Sequence, residues 1–144
     1  FGVGLTATKL FRERFTYIAE TAYLYFQDYK YDDGNRTQFG AEFRLNQALT
    51  YRLLTVPRWK FRLDAQLEAD YLRLGRDKSN GSGEPATGGQ ILYLLPGFRA
   101  YWRNTSLGLG VKLPTWTKLN ENSEQQGGEG KEDYRLICTL SLLF

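Results

Sequence analysis

Histidine and methionine are absent from this sequence of 144 residues, and it contains a single cysteine, Cys138. Without histidine the chain lacks the commonest metal ligand and general base, and one cysteine cannot form an intrachain disulfide. No nucleophile with a neighbouring base stands out either. We therefore expect no enzyme activity, no catalytic residues, no metal and no cofactor.

Long apolar runs are also missing, since the mean hydropathy is -0.48 and no stretch approaches the about 18 apolar residues of a membrane-spanning helix. This excludes a helical span but not a transmembrane β-barrel, whose apolar residues alternate with polar ones. The net charge of +3 comes from Lys and Arg scattered among acids, which argues against a nucleic-acid partner. What the chain does have is 15 Gly, 10 Tyr and 9 Phe, a composition typical of strands and turns.

The clearest pattern runs over residues 59–74, where apolar and polar residues alternate without a break through Tyr71. The odd positions include Phe61, Leu63 and Leu67, and the even positions include Arg62, Asp64 and Glu68. A helix would spread these charges around its circumference, whereas a strand collects them on one face. The pattern therefore predicts a long β-strand.

The same alternation predicts six further strands, over residues 1–10, 15–30, 37–55, 90–102, 106–119 and 134–144. We interpret 37–55 as one strand, because neither Gly nor Pro marks a turn at Asn46 and Gln47. At Pro96 the missing N–H leads us to expect a bulge. Short connections near residues 12–13, 56–57 and 103–105 alternate with longer ones at 32–36, 75–89 and 120–133.

Long strands with this asymmetry of connections are typical of outer-membrane barrels, whereas strands in globular sheets usually have about 5–6 residues. We therefore predict an all-β fold, an antiparallel up-and-down transmembrane β-barrel in the bacterial outer membrane, with residues 1–144 forming one domain or part of one. Single-chain bacterial barrels have even strand numbers, so seven strands predict the C-terminal part of a larger barrel. The alternative is a closed eight-stranded barrel with 37–55 split in two, and the competing fold is a water-soluble sandwich.

The polar positions of these strands are the candidates for a lumen lining. They carry both signs of charge, which suits either salt bridges that stiffen the wall or a pathway for a polar solute. Tyr93, Tyr101 and Trp116 are expected to point the same way. The lumen-facing candidates are Glu42, Arg44, Arg62, Asp64, Glu68, Asp70, Arg99, Lys112 and Arg135, and the wider set adds Glu20, Arg52, Lys60 and Arg103.

Aromatic residues near the ends of the apolar stripes predict contact with membrane lipid at its two interfaces. The candidates are Trp59, Tyr71, Trp102, Tyr134 and Phe144. In the last predicted strand an apolar residue recurs at every second position back from Phe144. This pattern looks like the signal by which outer-membrane proteins reach the barrel assembly machinery, so that machinery is an expected partner during insertion.

Three segments resemble a family of outer-membrane barrels associated with the phenol-degradation meta pathway and regarded as transporters. They are Leu-Tyr-Leu-Leu-Pro-Gly-Phe at 92–98, Leu-Gly-Leu-Gly-Val-Lys-Leu-Pro at 107–114, and the stretch from Lys-Glu-Asp-Tyr-Arg-Leu at 131–136 to the C-terminus. The resemblance implies a barrel of about twelve strands, completed by missing N-terminal strands or by another protein. It leads us to expect an outer-membrane pore or passive transporter, the alternative being a structural or scaffold barrel that anchors loops or a partner protein.

Overall fold

The computed structural model describes residues 1–120 and 132–143. Within these residues there is no helix of the length and hydropathy that a membrane crossing would need. In the described part of the chain, one 3-10 turn, Pro57–Trp59, accompanies the strands. The strands are β1 (Gly2–Phe11), β2 (Phe15–Leu24), β3 (Tyr29–Lys30), β4 (Arg36–Gln38), β5 (Glu42–Val56), β6 (Phe61–Leu74), β7 (Lys78–Ser79), β8 (Ser82–Gly83), β9 (Gly89–Trp102), β10 (Thr105–Leu119) and β11 (Arg135–Leu142).

The main sheet has seven strands in the order β1-β2-β5-β6-β9-β10-β11, and every neighbouring pair is antiparallel. The predicted all-β, antiparallel, up-and-down arrangement is therefore confirmed. The sheet is not closed: β1 and β11 form its two edges and, within the described residues, neither edge pairs with another strand. Hairpins with short turns join β1 to β2, β5 to β6 and β9 to β10.

The middle of the predicted strand 37–55 is confirmed as one strand, since β5 passes through Asn46 and Gln47 and pairs there with both neighbours. The split required by the eight-stranded alternative is therefore wrong. The beginning of that prediction is also wrong, because residues 36–38 form the separate strand β4. At Gly40, between β4 and β5, the backbone passes so close to the carbonyl of Gly75 that a Cβ would overlap it.

A second sheet, in the order β3-β4-β7-β8, is built from segments that lie between the long strands. The β7–β8 turn has Asn80 at φ 50 and Gly81 at φ 83, the left-handed pair that a tight hairpin favours. The side chain of Asn80 also accepts a hydrogen bond of 2.9 Å from the Arg36 N–H. Between β3 and β4, hydrogen bonds from the Asn35 N–H and side-chain amide lower the pKa of the Asp33 carboxyl below its usual value. Because β7 pairs with β8, part of the predicted loop 75–89 is a hairpin.

Two β-bulges interrupt the register, between Arg52 and Leu54 in β5 and between Pro114 and Trp116 in β10. The extra residue Thr115 reverses the alternation, so Trp116 pairs with Leu92 on the apolar side. The prediction that Trp116 shares the charged face is therefore wrong. The predicted bulge at Pro96 is wrong as well, because the pairing of β6 with β9 passes through Leu67 and Pro96 without a shift. The irregularity lies beside Pro114, whose missing N–H weakens the ladder there.

Burial in the main sheet is the inverse of that in a water-soluble protein. Among the described residues no hydrophobic side chain is buried, while Asp64 is only 4% exposed. On the other face, Leu67 is 51% exposed and Phe98 is 58% exposed. The apolar stripe therefore packs against no second layer in the part of the chain that the structure describes, although such a layer is what the sandwich fold requires.

Candidate functional site

One face of the main sheet gathers the predicted lumen residues. Directly paired residues of antiparallel strands project from the same side, and the register sets Arg52, Asp64 and Arg99 in one row across β5, β6 and β9. We call this side the polar face and the opposite side the apolar face. The register places on the polar face all nine lumen-facing candidates, which are Glu42, Arg44, Arg62, Asp64, Glu68, Asp70, Arg99, Lys112 and Arg135.

Lys60 and Arg103, two members of the wider set, do not join this face. Both lie in the short turns after β5 and β9, with φ angles of 50 and 53. Glu20 and Arg52 do lie on the polar face, through their pairs with Asn46 and Asp64.

Asp64 is the centre of the first charged cluster on the polar face. Its Oδ2 lies 3.0 Å from Nη2 of Arg62, and the Arg62 guanidinium lies 4.0 Å from the centroid of the Tyr101 ring. Within the described residues, Oδ1 of Asp64 and the Nε atoms of Arg52 and Arg62 are buried without a hydrogen-bond partner. Buried polar atoms are almost always paired, so this cluster is suited to hold water or a polar solute.

The second charged cluster joins β6, β9 and β10. Nζ of Lys112 lies 3.2 Å from Oδ2 of Asp70 and 4.1 Å from the centroid of the Tyr93 ring. Next to Lys112, Arg135 pairs directly across from it on β11 and contacts Glu132. The two bases of this cluster are therefore neighbours across β10 and β11, and each contacts an acid, Asp70 or Glu132.

Nearer the second sheet, Arg44 Nη2 lies 2.6 Å from Oε2 of Glu42. The two residues are two positions apart on β5 and so share the polar face. Midway along β6, the side-chain amide of Gln66 donates to Glu68 Oε1. Most of the lumen-facing candidates thus have charged or polar neighbours on the same face.

Glycines open space beside these charges, and the sequence analysis did not assign them to the site. Gly97 pairs with Gly110, while Gly108 pairs with Arg99. A Cβ added at Gly108 would lie 3.3 Å from Nε of Arg99, so the guanidinium covers the glycine. A cavity of about 200 Å³ is lined by these glycines together with Glu68 and Arg99. The alternation of Gly108 and Gly110 with leucines was the signal that could have placed both glycines on the polar face.

Of the predicted interface aromatics, Trp102 and Tyr71 mark two levels of the apolar face. Trp102 pairs with Phe61 beside the short turns, and Trp59 lies in the adjacent 3-10 turn. At the other level Tyr71 pairs with Leu92, and its hydroxyl donates to Oε1 of Gln90 over 2.8 Å. Tyr134 is exposed and directly precedes β11, while Phe144 lies outside the described residues.

Charged residues on the apolar face occur near the ends of the paired strands. The register places Lys9, Arg73 and Lys118 there, each within three residues of a strand end. Nζ of Lys9 lies 5.0 Å from the centroid of the Phe11 ring, so the side chain extends toward the turn. Long basic side chains place their charge this way when the stem lies on an apolar surface.

Comparisons with protein-family models, with curated proteins and with solved structures found no match. The resemblance to the family of outer-membrane transporters therefore stays a prediction.

Proposed function

We propose that this chain forms the wall of a bacterial outer-membrane β-barrel that acts as a pore or passive transporter. The polar face lines a lumen of mixed charge, and the apolar face contacts lipid. The observation that carries the proposal is the inverted burial, with Asp64 buried while Leu67 and Phe98 are exposed. Water would penalise such an apolar surface, whereas hydrocarbon would stabilise it.

The spacing of the aromatic levels supports the same proposal. From Phe61, paired with Trp102, to Tyr71 there are ten residue steps on β6, about 33 Å of extended chain. At a strand tilt of about 40° this rise is about 25 Å along the membrane normal, the height of the apolar band in outer-membrane barrels. Between the two levels β6 presents only Leu63, Ala65, Leu67 and Ala69 to the apolar face.

Closure is a requirement of the proposal. In hydrocarbon each unpaired backbone group costs several kcal/mol, so only closed sheets and helices span a bilayer. The edges at β1 and β11 therefore need partner strands, from further strands of the barrel or from another protein. The barrel assembly machinery is the partner we propose for insertion.

The charges of the polar face favour a weakly selective lumen. Acids and bases are nearly balanced on this face, so neither sign of solute is strongly repelled. The acids are Glu20, Glu42, Asp64, Glu68 and Asp70, and the bases are Arg44, Arg52, Arg62, Arg99, Lys112 and Arg135.

The contacts among polar-face side chains favour the alternative, a structural or scaffold barrel. The Arg62–Asp64 and Lys112–Asp70 pairs and the stacking of Arg62 on Tyr101 would also suit an interior filled by its own side chains. Such a barrel would anchor the second sheet or a partner protein at the membrane surface.

Planar-bilayer conductance tests the pore. We expect the closed, folded barrel, made of this chain together with the strands that complete it, to give discrete openings, and we expect Arg99→Gln to shift the reversal potential in a salt gradient toward cation selectivity. Lys78→Gln, in the second sheet, is the matched control and should leave the reversal potential unchanged. Silent bilayers with folded protein would support the scaffold, and equal reversal potentials for the two variants would remove Arg99 from the conduction path.

A further inference from the structure

A cleft of about 760 Å³ lies at one end of the main sheet, where the turn from β5 to β6 meets the turn from β9 to β10. Residues 58–61 line one side and residues 102–104 line the other. We call it the turn cleft. It lies at the end of the sheet opposite the β3-β4-β7-β8 sheet.

The backbone fixes the two turns against each other. The Arg103 N–H donates to the carbonyl oxygen of Lys60 over 3.0 Å, and the Lys60 N–H donates to that of Pro57 over 3.0 Å. Lys60 and Arg103 both have left-handed backbone conformations, with φ angles of 50 and 53. Residues other than Gly seldom adopt this conformation. The cleft is therefore held by the connection between neighbouring hairpins rather than by either turn alone.

The charge of the turn cleft has one sign. Arg58, Lys60 and Arg103 line it, and no acid does so among the described residues. The opposite end of the main sheet carries both signs of charge, because acids such as Asp32 and Asp77 lie among its bases. The cleft is thus a local concentration of positive charge that would attract an anion.

The other side of the turn cleft is aromatic. Trp59 is 66% exposed and Trp102 is 57% exposed, and the Arg103 guanidinium lies 5.4 Å from the centroid of the Trp102 ring. Phe61 continues this surface onto the apolar face, because it pairs with Trp102. A ligand that fits both parts carries an anionic group attached to a long apolar body.

We propose that the turn cleft binds the headgroup of an anionic phospholipid. The phosphate lies against Arg58, Lys60 and Arg103, and the acyl chains run along Phe61 and Trp102 on the apolar face. The site rests on the proposed function, since it requires lipid on that face. Indole rings settle at the headgroup level, and each basic residue near an anionic lipid surface gives a preference of about fivefold.

Quenching of single tryptophans by brominated phospholipids tests the site. In one protein, Trp59→Phe and Trp116→Phe leave Trp102 as the single tryptophan. In the matched protein, Trp59→Phe and Trp102→Phe leave Trp116. Trp116 lies at the far aromatic level, paired with Leu92, and Lys118 is its nearest base in the sequence. Each protein is reconstituted in phosphatidylcholine containing a small fraction of brominated phosphatidylglycerol or of brominated phosphatidylcholine.

We expect brominated phosphatidylglycerol to be enriched at least about fivefold over brominated phosphatidylcholine around Trp102, and much less around Trp116. Equal quenching of Trp102 by the two headgroups would overturn the site while leaving the apolar face in lipid. Absence of quenching at both tryptophans by either lipid would instead overturn the membrane proposal. The two failures are therefore distinguishable.

Charge removal gives a second test. In the Trp102 protein, joint replacement Arg58→Gln, Lys60→Gln and Arg103→Gln should bring the headgroup preference close to one. The matched control, Lys30→Gln, Arg76→Gln and Lys78→Gln, removes as many bases at the opposite end and should keep the preference. Loss of preference in both variants would point to net charge rather than to the turn cleft. If the turn variant does not fold, the comparison of Trp102 with Trp116 in the unmodified turns still decides the proposal.

Discussion

At the scale of single residues, Asp64 is the most deeply buried charged residue of the polar face within the described residues. It is 4% exposed, and three arginines, Arg52, Arg62 and Arg99, lie beside it on β5, β6 and β9. Removal of the carboxylate would leave like charges adjacent and partly desolvated, which costs more than the loss of a solvated ion pair.

We expect Asp64→Asn to lower the free energy of unfolding by about 2 kcal/mol, because it breaks a largely buried ion pair. Breaking a fully buried pair costs about 3–5 kcal/mol, and this value is smaller because the Arg62 side chain is 35% exposed. The control is Arg44→Gln, whose partner is Glu42 and whose side chain is 51% exposed, so a loss of no more than about 0.5 kcal/mol is expected. Urea titrations of the folded proteins measure both, and equal losses would contradict the central role of Asp64.

At the scale of elements, the close approach of β9 to β10 depends on a residue without a side chain. A Cβ at Gly97 would lie 2.7 Å from the carbonyl oxygen of Leu109, a backbone atom that cannot move without disturbing the strand pair. Gly83 in β8 has nothing within 4 Å of the same position. The structure therefore has space for a Cβ at Gly83 but not at Gly97, although both glycines lie in strands.

We predict that Gly97→Ala destabilises the fold by about 1–3 kcal/mol, the usual cost of overpacking. Gly83→Ala is the matched substitution and should change the free energy of unfolding by less than about 0.5 kcal/mol. Both values come from denaturant unfolding under the same conditions. A harmless Gly97→Ala would mean that β9 and β10 are further apart than the structure has them.

The bulge in β10 makes a second prediction at this scale. Because Thr115 is the extra residue between Pro114 and Trp116, its deletion restores regular alternation and leaves Trp116 on the apolar face. In the protein that keeps only Trp116, quenching by brominated phosphatidylcholine should be unchanged by the deletion. In a strand without the bulge, the same deletion would move Trp116 from the polar to the apolar side, and quenching would rise.

The elements also show where sequence reasoning succeeds and where it stops. The alternation in β6 specified that strand and its faces, because a period of two over many residues fits no other structure. Strands such as β3 and β7 have two residues each and hence no period to detect. Their pairing depends on contacts distant in sequence, as between Thr37 and Ser79.

Single inserted residues were the other source of error. A bulge changes the parity of every later residue, so the polar assignment of Trp116 failed while that of Lys112, before the bulge, agreed with the register. The residues of the turn cleft could not be grouped from the sequence, because residues 58–61 and 102–104 meet only through the pairing of β6 with β9.

At the scale of the whole molecule, the main question is which medium contacts each face of the seven-stranded sheet. Most charged side chains lie on one face, and within the described residues charges occur on the other face only near the strand ends. A sandwich in water and a barrel in lipid share this alternation. The two structures differ in where the apolar face lies, since a sandwich hides it between layers. A test must therefore measure the water accessibility of neighbouring residues that lie on opposite faces.

Cysteine labelling at adjacent positions of β6 provides that test. In a Cys138→Ala background we compare Leu67→Cys with Glu68→Cys, which lie on the apolar and polar faces, in vesicles treated with a charged, membrane-impermeant maleimide. We expect Glu68→Cys to react through water in the lumen and Leu67→Cys to remain unlabelled, because the reagent cannot enter hydrocarbon. Both should react after unfolding in urea, which controls for intrinsic reactivity. Fast labelling of Leu67→Cys in folded, reconstituted protein would place the apolar face in water and overturn the barrel. Protection of both positions would keep the apolar face in lipid and indicate an interior filled by side chains, which favours the scaffold.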